Sequence, residues 1–471
     1  LIIYGTEKGG SDNMREKAFV HPYIPNSAPD VKAELMKAVG ITDLEELYSE
    51  IPEHLRFRGE LDLPEPMMAE WELRRHLEET LAKNTTCKDY LSFLGGGCWQ
   101  HYVPAVVDEI VNRAEFVTAY CGGTYADLGK YQARFEFYSM LAEMLDVDAV
   151  SEPIYDWGAA AGLSIRMASR LTGRNEVLIP DNVSPERMAQ IRTLCQPEIM
   201  PNSIKIILVD IDPETGGVDL EDLKAKLSDK TAAVYFEVPG YFGTVEKNAS
   251  VISALAKSVG AQSVVGVDPV SLGVIAPPAS YGADIICGDL QSIGMHMLCG
   301  GGQSGFIAFR DEAEYLAECP LAIYTIAETA VEGQYAYAEV LPERTSYEAR
   351  DKAKDWVGTA SGLWTIGAAV YMALMGPQGM REIGETILYN SNYAKQQLGE
   401  IEGVKVLYDT TFKEFVVNFD GTGKTVAEIN KALEGKKIFG GLDLSADFPA
   451  LGNSALYSVT EMHSKQDIDK L

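Results

Sequence analysis

Over the first 110 residues, apolar positions recur at helical rather than strand spacing. Pro22, Pro25 and Pro29 impose an extended path on VHPYIPNSAP, and a helix is expected from about Asp30, with Val31, Leu35, Met36 and Val39 at helical spacing. ITDLEELYSEIP reads as a second short amphipathic helix, capped by Thr42 or Asp43. Residues 66–84 read as a helix whose exposed face carries Glu70, Glu72, Arg74, Arg75, Glu78 and Glu79. Between about 130 and 320 the pattern changes to short apolar runs: EVLIP (176–180), SIKIILVD (203–210), AAVYFEVP (232–239), QSVVGVDP (262–269), ADIICGD (283–289) and SGFIAFR (304–310). MLAEMLDV, SPERMAQIRTLC, LEDLKAKLSD and NASVISALAKSVG supply helices between or beside them. Near-continuous apolar strands alternating with helices predict an α/β domain with a mostly parallel sheet covered on both faces. From about 345, a long helical stretch ending in NYAKQQLGEI precedes VKVLYD, EFVVNF, a helix at TVAEINKALEGK, ALYSVTE and a last helix SKQDIDKL, which predicts a small α+β domain. The expected division is 1–20 as a leader or artificially appended segment, 21–110 as an N-terminal arm with its leading helices, 111–345 as the large α/β domain and 346–471 as the small C-terminal domain.

Charge narrows the partners. Lys+Arg 40 against Asp+Glu 69 leaves a net charge of -29, which repels phosphate backbones and anionic lipid, so no nucleic acid and no membrane partner is expected. Hydrophobic residues at 46% supply a large core and exclude wholesale disorder. The 7 cysteines are scattered without a CxxC pair, which predicts neither a disulfide framework nor a zinc site, and hence no metal and a reducing, cytoplasmic setting.

The most informative strand is QSVVGVDPVSLG, because Asp268 stands at its carboxyl end, the side of an open α/β sheet that faces a ligand crevice. A carboxylate there suits a cationic ring nitrogen, as in enzymes that use pyridoxal phosphate as an electron sink; a plain turn-capping aspartate is the competing reading. In such folds the loop after the next strand presents a Schiff-base lysine. Here that loop offers Gln291 and Ser292, and no lysine occurs between Lys257 and Lys352. Neither side chain replaces a primary amine, so the layout is that of a cofactor site without its covalent anchor. His296 in the same loop reads as a structural histidine.

Gly95, Gly96 and Gly97, before Cys98, Trp99, Gln100, His101 and Tyr102, allow close backbone approach but lack the pattern of a nucleotide loop. No spacing supports Cys98 and His101 as a nucleophilic pair. Tyr120, Tyr125 and Tyr131 surround the Gly122–Gly123 turn, to line a pocket or to pack an interface. YDWGAAAGLSIRMASRL reads as close helix packing through small residues in preference to an anion-holding helix start.

In order, HPYIPNS with GITDLEELYSEIPEHLR, FLGGGCWQHYVPAVV, EFVTAY, FEFYSMLAEMLDVD, VPGYFGTVE, VDPVSLGVIAPPASYGADIICGD and GGLDLSADFPALGNSALYSVTE span nearly the whole chain. Together they resemble the glycine dehydrogenase (decarboxylating) family, the P-protein of the glycine cleavage system, and within it subunit 1, the alpha-type chain of the two-chain form, or a close paralogue. That resemblance implies a pyridoxal-phosphate-dependent transferase fold (fold type I, aspartate-aminotransferase-like). It also implies a subunit 2 that carries the pyridoxal-phosphate lysine and pairs with this chain as a heterodimer or a dimer of heterodimers. The implied chemistry is decarboxylation of glycine and transfer of the aminomethyl group to the lipoyl arm of H-protein. His101, Tyr102 and Tyr120 are the implied contributors to a site shared with the partner, and Asp268 the retained or vestigial ring-nitrogen carboxylate. CGGTYADLGKYQ and RTSYEARDKAKDWVGT depart from the family pattern, which leaves glycine and a related amine or amino acid both open as substrate. Two other readings are a non-catalytic scaffold or regulatory pseudoenzyme of the same fold, and an enzyme holding the cofactor without a covalent bond.

Overall fold

Strands that bury both faces assemble where the apolar runs are longest. A computed structural model describes residue 20 and residues 23–59, 61–117, 128–196, 202–298, 303–321, 323–355, 357 and 362–471. Its main sheet has seven strands: β1 (Ala149–Ile154), β2 (Glu176–Pro180), β3 (Lys205–Val209), β4 (Thr231–Glu237), β5 (Gln262–Val267), β6 (Ile285–Asp289) and β7 (Gly305–Phe309), in the order β1-β7-β6-β5-β4-β2-β3. Strands β3, β2, β4, β5 and β6 pair in parallel, while β7 runs antiparallel to both β6 and β1. Alternation explains the continuous apolar runs. Ala233 and Tyr235 enter one core with Val264, Ile285 and Ile307, whereas Val234 and Phe236 enter the other with Val265, Ile286 and Phe306. Each fully buried aliphatic side chain contributes roughly 1.5–3 kcal/mol, so consecutive buried residues such as Ile285 and Ile286 stabilise both layers.

The strand absent from the apolar pattern is β1, whose AVSEPI carries Ser151, Glu152 and Pro153. Its polar residue is satisfied from a helix, α1 (Leu128–Leu145): fully buried Glu152 accepts from Arg134 Nε at 2.8 Å and from the Tyr138 hydroxyl at 2.7 Å. Helix α2 (Trp157–Thr172) lies against α3 (Pro185–Cys195) through glycine; a Cβ on Gly162 would fall 2.6 Å from Leu194 Cδ1. The small-residue stretch is therefore a packing surface. The long helix α4 (Leu363–Gly399) is broken at Gly376, where φ is 59° and Pro377 has no N–H to continue the ladder.

The C-terminal sheet contains β8 (Lys405–Leu407), β9 (Glu414–Asn418), β10 (Leu442–Asp443) and β11 (Ser454–Ser458), antiparallel in the order β8-β9-β11-β10. Phe93, Phe415 and Tyr457 share its core, and the short strand Leu91–Ser92 pairs in parallel with Ile438–Phe439.

The chain divides into two compact units, one up to Asn84 and one from Thr85. In the first, Pro29–Val39 and Glu70–Leu81 are α-helical. Leu44–Tyr48 is a 3₁₀ turn rather than the expected amphipathic helix, started by a capping box between Asp43 and Glu46. None of the described residues of this unit is buried.

In β5, a Cβ on Gly266 would lie 2.6 Å from Trp157 Nε1 and 2.9 Å from the Tyr235 hydroxyl. Gly266→Ala is expected to cost about 1–3 kcal/mol by overpacking, read as a lower urea midpoint at unchanged slope.

Candidate functional site

Three carboxylates lie at the carboxyl ends of neighbouring strands: Glu237 ends β4, Asp268 follows β5 and Asp289 ends β6. Asp268 is 3% exposed and accepts from the Ser292 hydroxyl at 2.6 Å. Its other oxygen, Oδ2, lies 2.7 Å from Lys413 Nζ, an ion contact rather than a well-directed hydrogen bond. Lys413 immediately precedes β9 and is itself buried. Its ammonium sits 3.3 Å from the centroid of the Trp99 ring and 3.1 Å from His101 Nε2. An ammonium only donates, so His101 Nε2 accepts and Nδ1 carries the proton toward Glu461 Oε2, 2.9 Å away. Glu461 also accepts from the Tyr102 backbone N–H at 2.8 Å. A buried chain of alternating charge and hydrogen bond thus runs Asp268–Lys413–His101–Glu461.

Burial pushes the Asp268 carboxyl up, but Lys413 and the Ser292 hydroxyl outweigh it and hold the group below the usual carboxylate range. Burial also opposes ionisation of Glu461, yet His101 and the backbone donors hold it below the usual carboxylate range. Among the described residues Asp289 is in no ion pair; burial pushes its carboxyl up to about 7, and the Gln291 N–H and the Arg187 charge offset that only in part.

The loop after β6 closes on the segment that follows the three glycines. The Gln291 side chain accepts from the Trp99 N–H at 3.1 Å and donates to the Trp99 carbonyl at 2.9 Å. Gly96, at φ 88°, donates its N–H to Glu414 Oε1 at 2.6 Å. The glycine run therefore lets the backbone meet β9 closely. Cys98 Sγ points to the Met297 carbonyl, 3.7 Å away, and burial pushes its thiol up to about 11. His101 is engaged elsewhere, so the two do not form a nucleophilic pair. Beside this loop lies a cavity of about 600 Å³, bounded by Gly97, Trp157, Ser184, Arg187 and Asp289. Arg187 is held by Glu237 at 2.8 Å and lies 3.8 Å over the Trp157 ring.

A Schiff-base cofactor with a pyridine ring and a phosphate needs an amine, a free ring-nitrogen carboxylate and room for the ring. The residues present do not fit it. The loop position is Gln291–Ser292, and Asp268 is already paired with Lys413. The space left beside Asp268 and Lys413 is about 10 Å³, one water at most.

Of the residues singled out in the sequence, His101 and Asp268 meet through Lys413. Tyr102 is exposed on an apolar groove with Pro104, Tyr371, Met375 and Met462. Tyr120 and Tyr125 lie outside the described residues. Tyr131 stacks on Tyr324 at 4.5 Å, and His296 makes a surface contact of 2.9 Å with Asp108. Sequence reasoning missed Lys413, Trp99 and Glu461. The available signal was the charged pair Lys413–Glu414 opening an otherwise apolar strand.

Fold and site together define a chain of the pyridoxal-phosphate-dependent transferase fold, type I, with its strand-end carboxylate held by an internal cation. The fold is shared with a sphingosine-1-phosphate lyase of Burkholderia pseudomallei (16% identical, TM-score 0.61, covering 89% of this chain and 94% of that one) and a NifS-like protein of Rickettsia africae (12%, 0.58, 81% and 97%). The chain belongs to the glycine cleavage system P-protein family, whose model matches residues 21–471. It is 35% identical over 460 residues to a protein of Staphylothermus marinus named "Probable glycine dehydrogenase (decarboxylating) subunit 1", covering 96% of this chain and 97% of that protein. A protein of the same name from Pyrococcus furiosus is 37% identical over 453 residues, covering 95% and 97%. A crystallised glycine decarboxylase (P-protein) of the glycine cleavage system, in inhibitor-bound form, is 29% identical with a TM-score of 0.81, covering 93% of this chain and 96% of that one.

Asp289 gives the site a pH signature. An acid whose folded pKa lies above its unfolded value of about 3.9 stabilises the fold below that value and loses the contribution as pH rises through the folded pKa. With the folded value at about 7, that loss spans roughly pH 4 to 7. Asp289→Asn, which keeps an acceptor for the Gln291 N–H, is expected to gain about 2 kcal/mol over the parent between pH 4 and 8 in urea melts.

Proposed function

We propose that this chain is subunit 1 of a two-chain glycine dehydrogenase (decarboxylating), the lysine-less subunit that shapes and closes a site whose cofactor lysine belongs to subunit 2. The observation that carries the reading is the Asp268–Lys413 pair beside a loop of Gln291 and Ser292, in a chain that matches subunit 1 proteins over nearly its full length. A site that does not fit the cofactor leaves the bond-breaking chemistry to the partner. The substrate is glycine or a related amine, and the aminomethyl acceptor a lipoyl carrier protein. His101, Tyr102 and Tyr120 are the contributors from this chain; the Glu461 contact keeps His101 in one orientation. The unit up to Asn84 leaves Leu47, Leu55, Phe57, Leu63 and Trp71 uncovered by its own residues, apolar surface of the kind a subunit interface takes up.

Mixing this chain with a lysine-bearing partner and a lipoyl carrier should raise carbon dioxide release from labelled glycine at least about tenfold over either chain alone, a barrier difference of ~1.4 kcal/mol. Turnover by the pure chain, or full turnover by the partner alone, contradicts the proposal; the latter result is what the scaffold reading requires. Tyr120→Ala is expected to lower kcat of the reconstituted complex about tenfold while the complex elutes intact from a sizing column. Unchanged kcat removes Tyr120 from the site.

A further inference from the structure

We infer that Lys413 is a built-in counter-ion standing where a cofactor's protonated ring nitrogen would meet the strand-end carboxylate, so that the chain's own cation closes the site and ties the C-terminal sheet to the main sheet. The inference concerns this chain's own fold and stands whatever the partner carries. Three groups surround the ammonium: Asp268 Oδ2 in an ion contact at 2.7 Å, His101 Nε2 accepting a hydrogen bond at 3.1 Å and the face of Trp99 at 3.3 Å. Side-chain exposures of 3% for Lys413 and 4% for Asp268 leave neither charge to water. A carboxylate so enclosed must be neutralised or matched by a cation. The four members of the chain come from the end of β5, the segment before β9, the segment after the three glycines and the segment after β11. Removing Lys413 would thus release the C-terminal sheet's charged contact with the main sheet as well as strand the Asp268 carboxylate.

The N-terminus of α2, on the wall of the cavity of about 600 Å³, is likewise occupied by a side chain of this chain. It would otherwise offer its N–H groups to a phosphate, but is capped by Asp156, whose Oδ1 accepts from the Ala159 N–H at 2.8 Å and whose Oδ2 accepts from Gln190 at 2.9 Å. An internal carboxylate holds the anion position as an internal ammonium holds the cation position.

The experiment measures the thermal midpoint of the full chain and its variants. The parent midpoint should move by less than about 1 °C with about 1 mM pyridoxal phosphate. Lys413→Ala should lower the midpoint by roughly 5 °C or more. About 50 mM ethylammonium chloride should restore at least half of that loss, and sodium chloride at the same concentration none of it. Should Lys413→Ala not fold, Lys413→Met is compared with Lys413→Met/Asp268→Asn; the double variant, with both charges gone, should melt above the single one. A parent stabilised by pyridoxal phosphate, a Lys413→Ala chain as stable as the parent, no difference between the two amine and sodium salts, or a double variant no better than Lys413→Met would each overturn the assignment.

Discussion

A carboxylate kept ionised at the end of a buried parallel strand needs a cation beside it, and for Asp268 that cation is Lys413. The desolvation of each partner costs several kcal/mol, so proximity alone does not make such a pair favourable. It is made so by completeness: Ser292 serves one oxygen of Asp268, and Trp99 and His101 complete the surroundings of the ammonium. Much of the site's local geometry follows. Trp99 must present its face, which the Gln291 amide secures by gripping the backbone of Trp99 from both sides. His101 must accept at Nε2, which Glu461 secures at Nδ1. The glycines at 95–97 let the chain reach that position through the close contact of Gly96 with Glu414.

This arrangement separates the fold of a cofactor enzyme from its chemistry. The sheet order, the single antiparallel strand β7 and the small C-terminal sheet supply the scaffold on which related folds hold pyridoxal phosphate. The membership of the chain in the P-protein family gives that scaffold a metabolic setting. Its own strand ends, however, are spent on one another, and the proposed division of labour between two subunits is the physical counterpart of that spending.

Much of this was legible in the chain. The strands are apolar without interruption over 177–180 and 285–288 because both of their faces are covered, and a run of that kind reads as a buried parallel strand. The missing lysine was legible because absence over a long interval needs no three-dimensional knowledge. Strand β1 was not, because Ser151, Glu152 and Pro153 break its apolar run and Arg134 that makes Glu152 tolerable comes from a different element. Lys413 was not legible for the same reason on a larger scale. Its imidazole partner is 312 residues away in sequence, and only the folded sheet brings Asp268, Trp99 and His101 around one ammonium. Long-range electrostatic partnership leaves no periodic trace.

The claim that this chain surrenders the cofactor to its partner is tested most directly by where the cofactor is found in the assembled complex. Borohydride reduction followed by peptide mapping fixes any Schiff-base pyridoxal group to the lysine that held it. The account predicts one pyridoxyl group per pair of chains, entirely on the partner. A pyridoxyl-lysine on this chain, or two groups per pair, would contradict it.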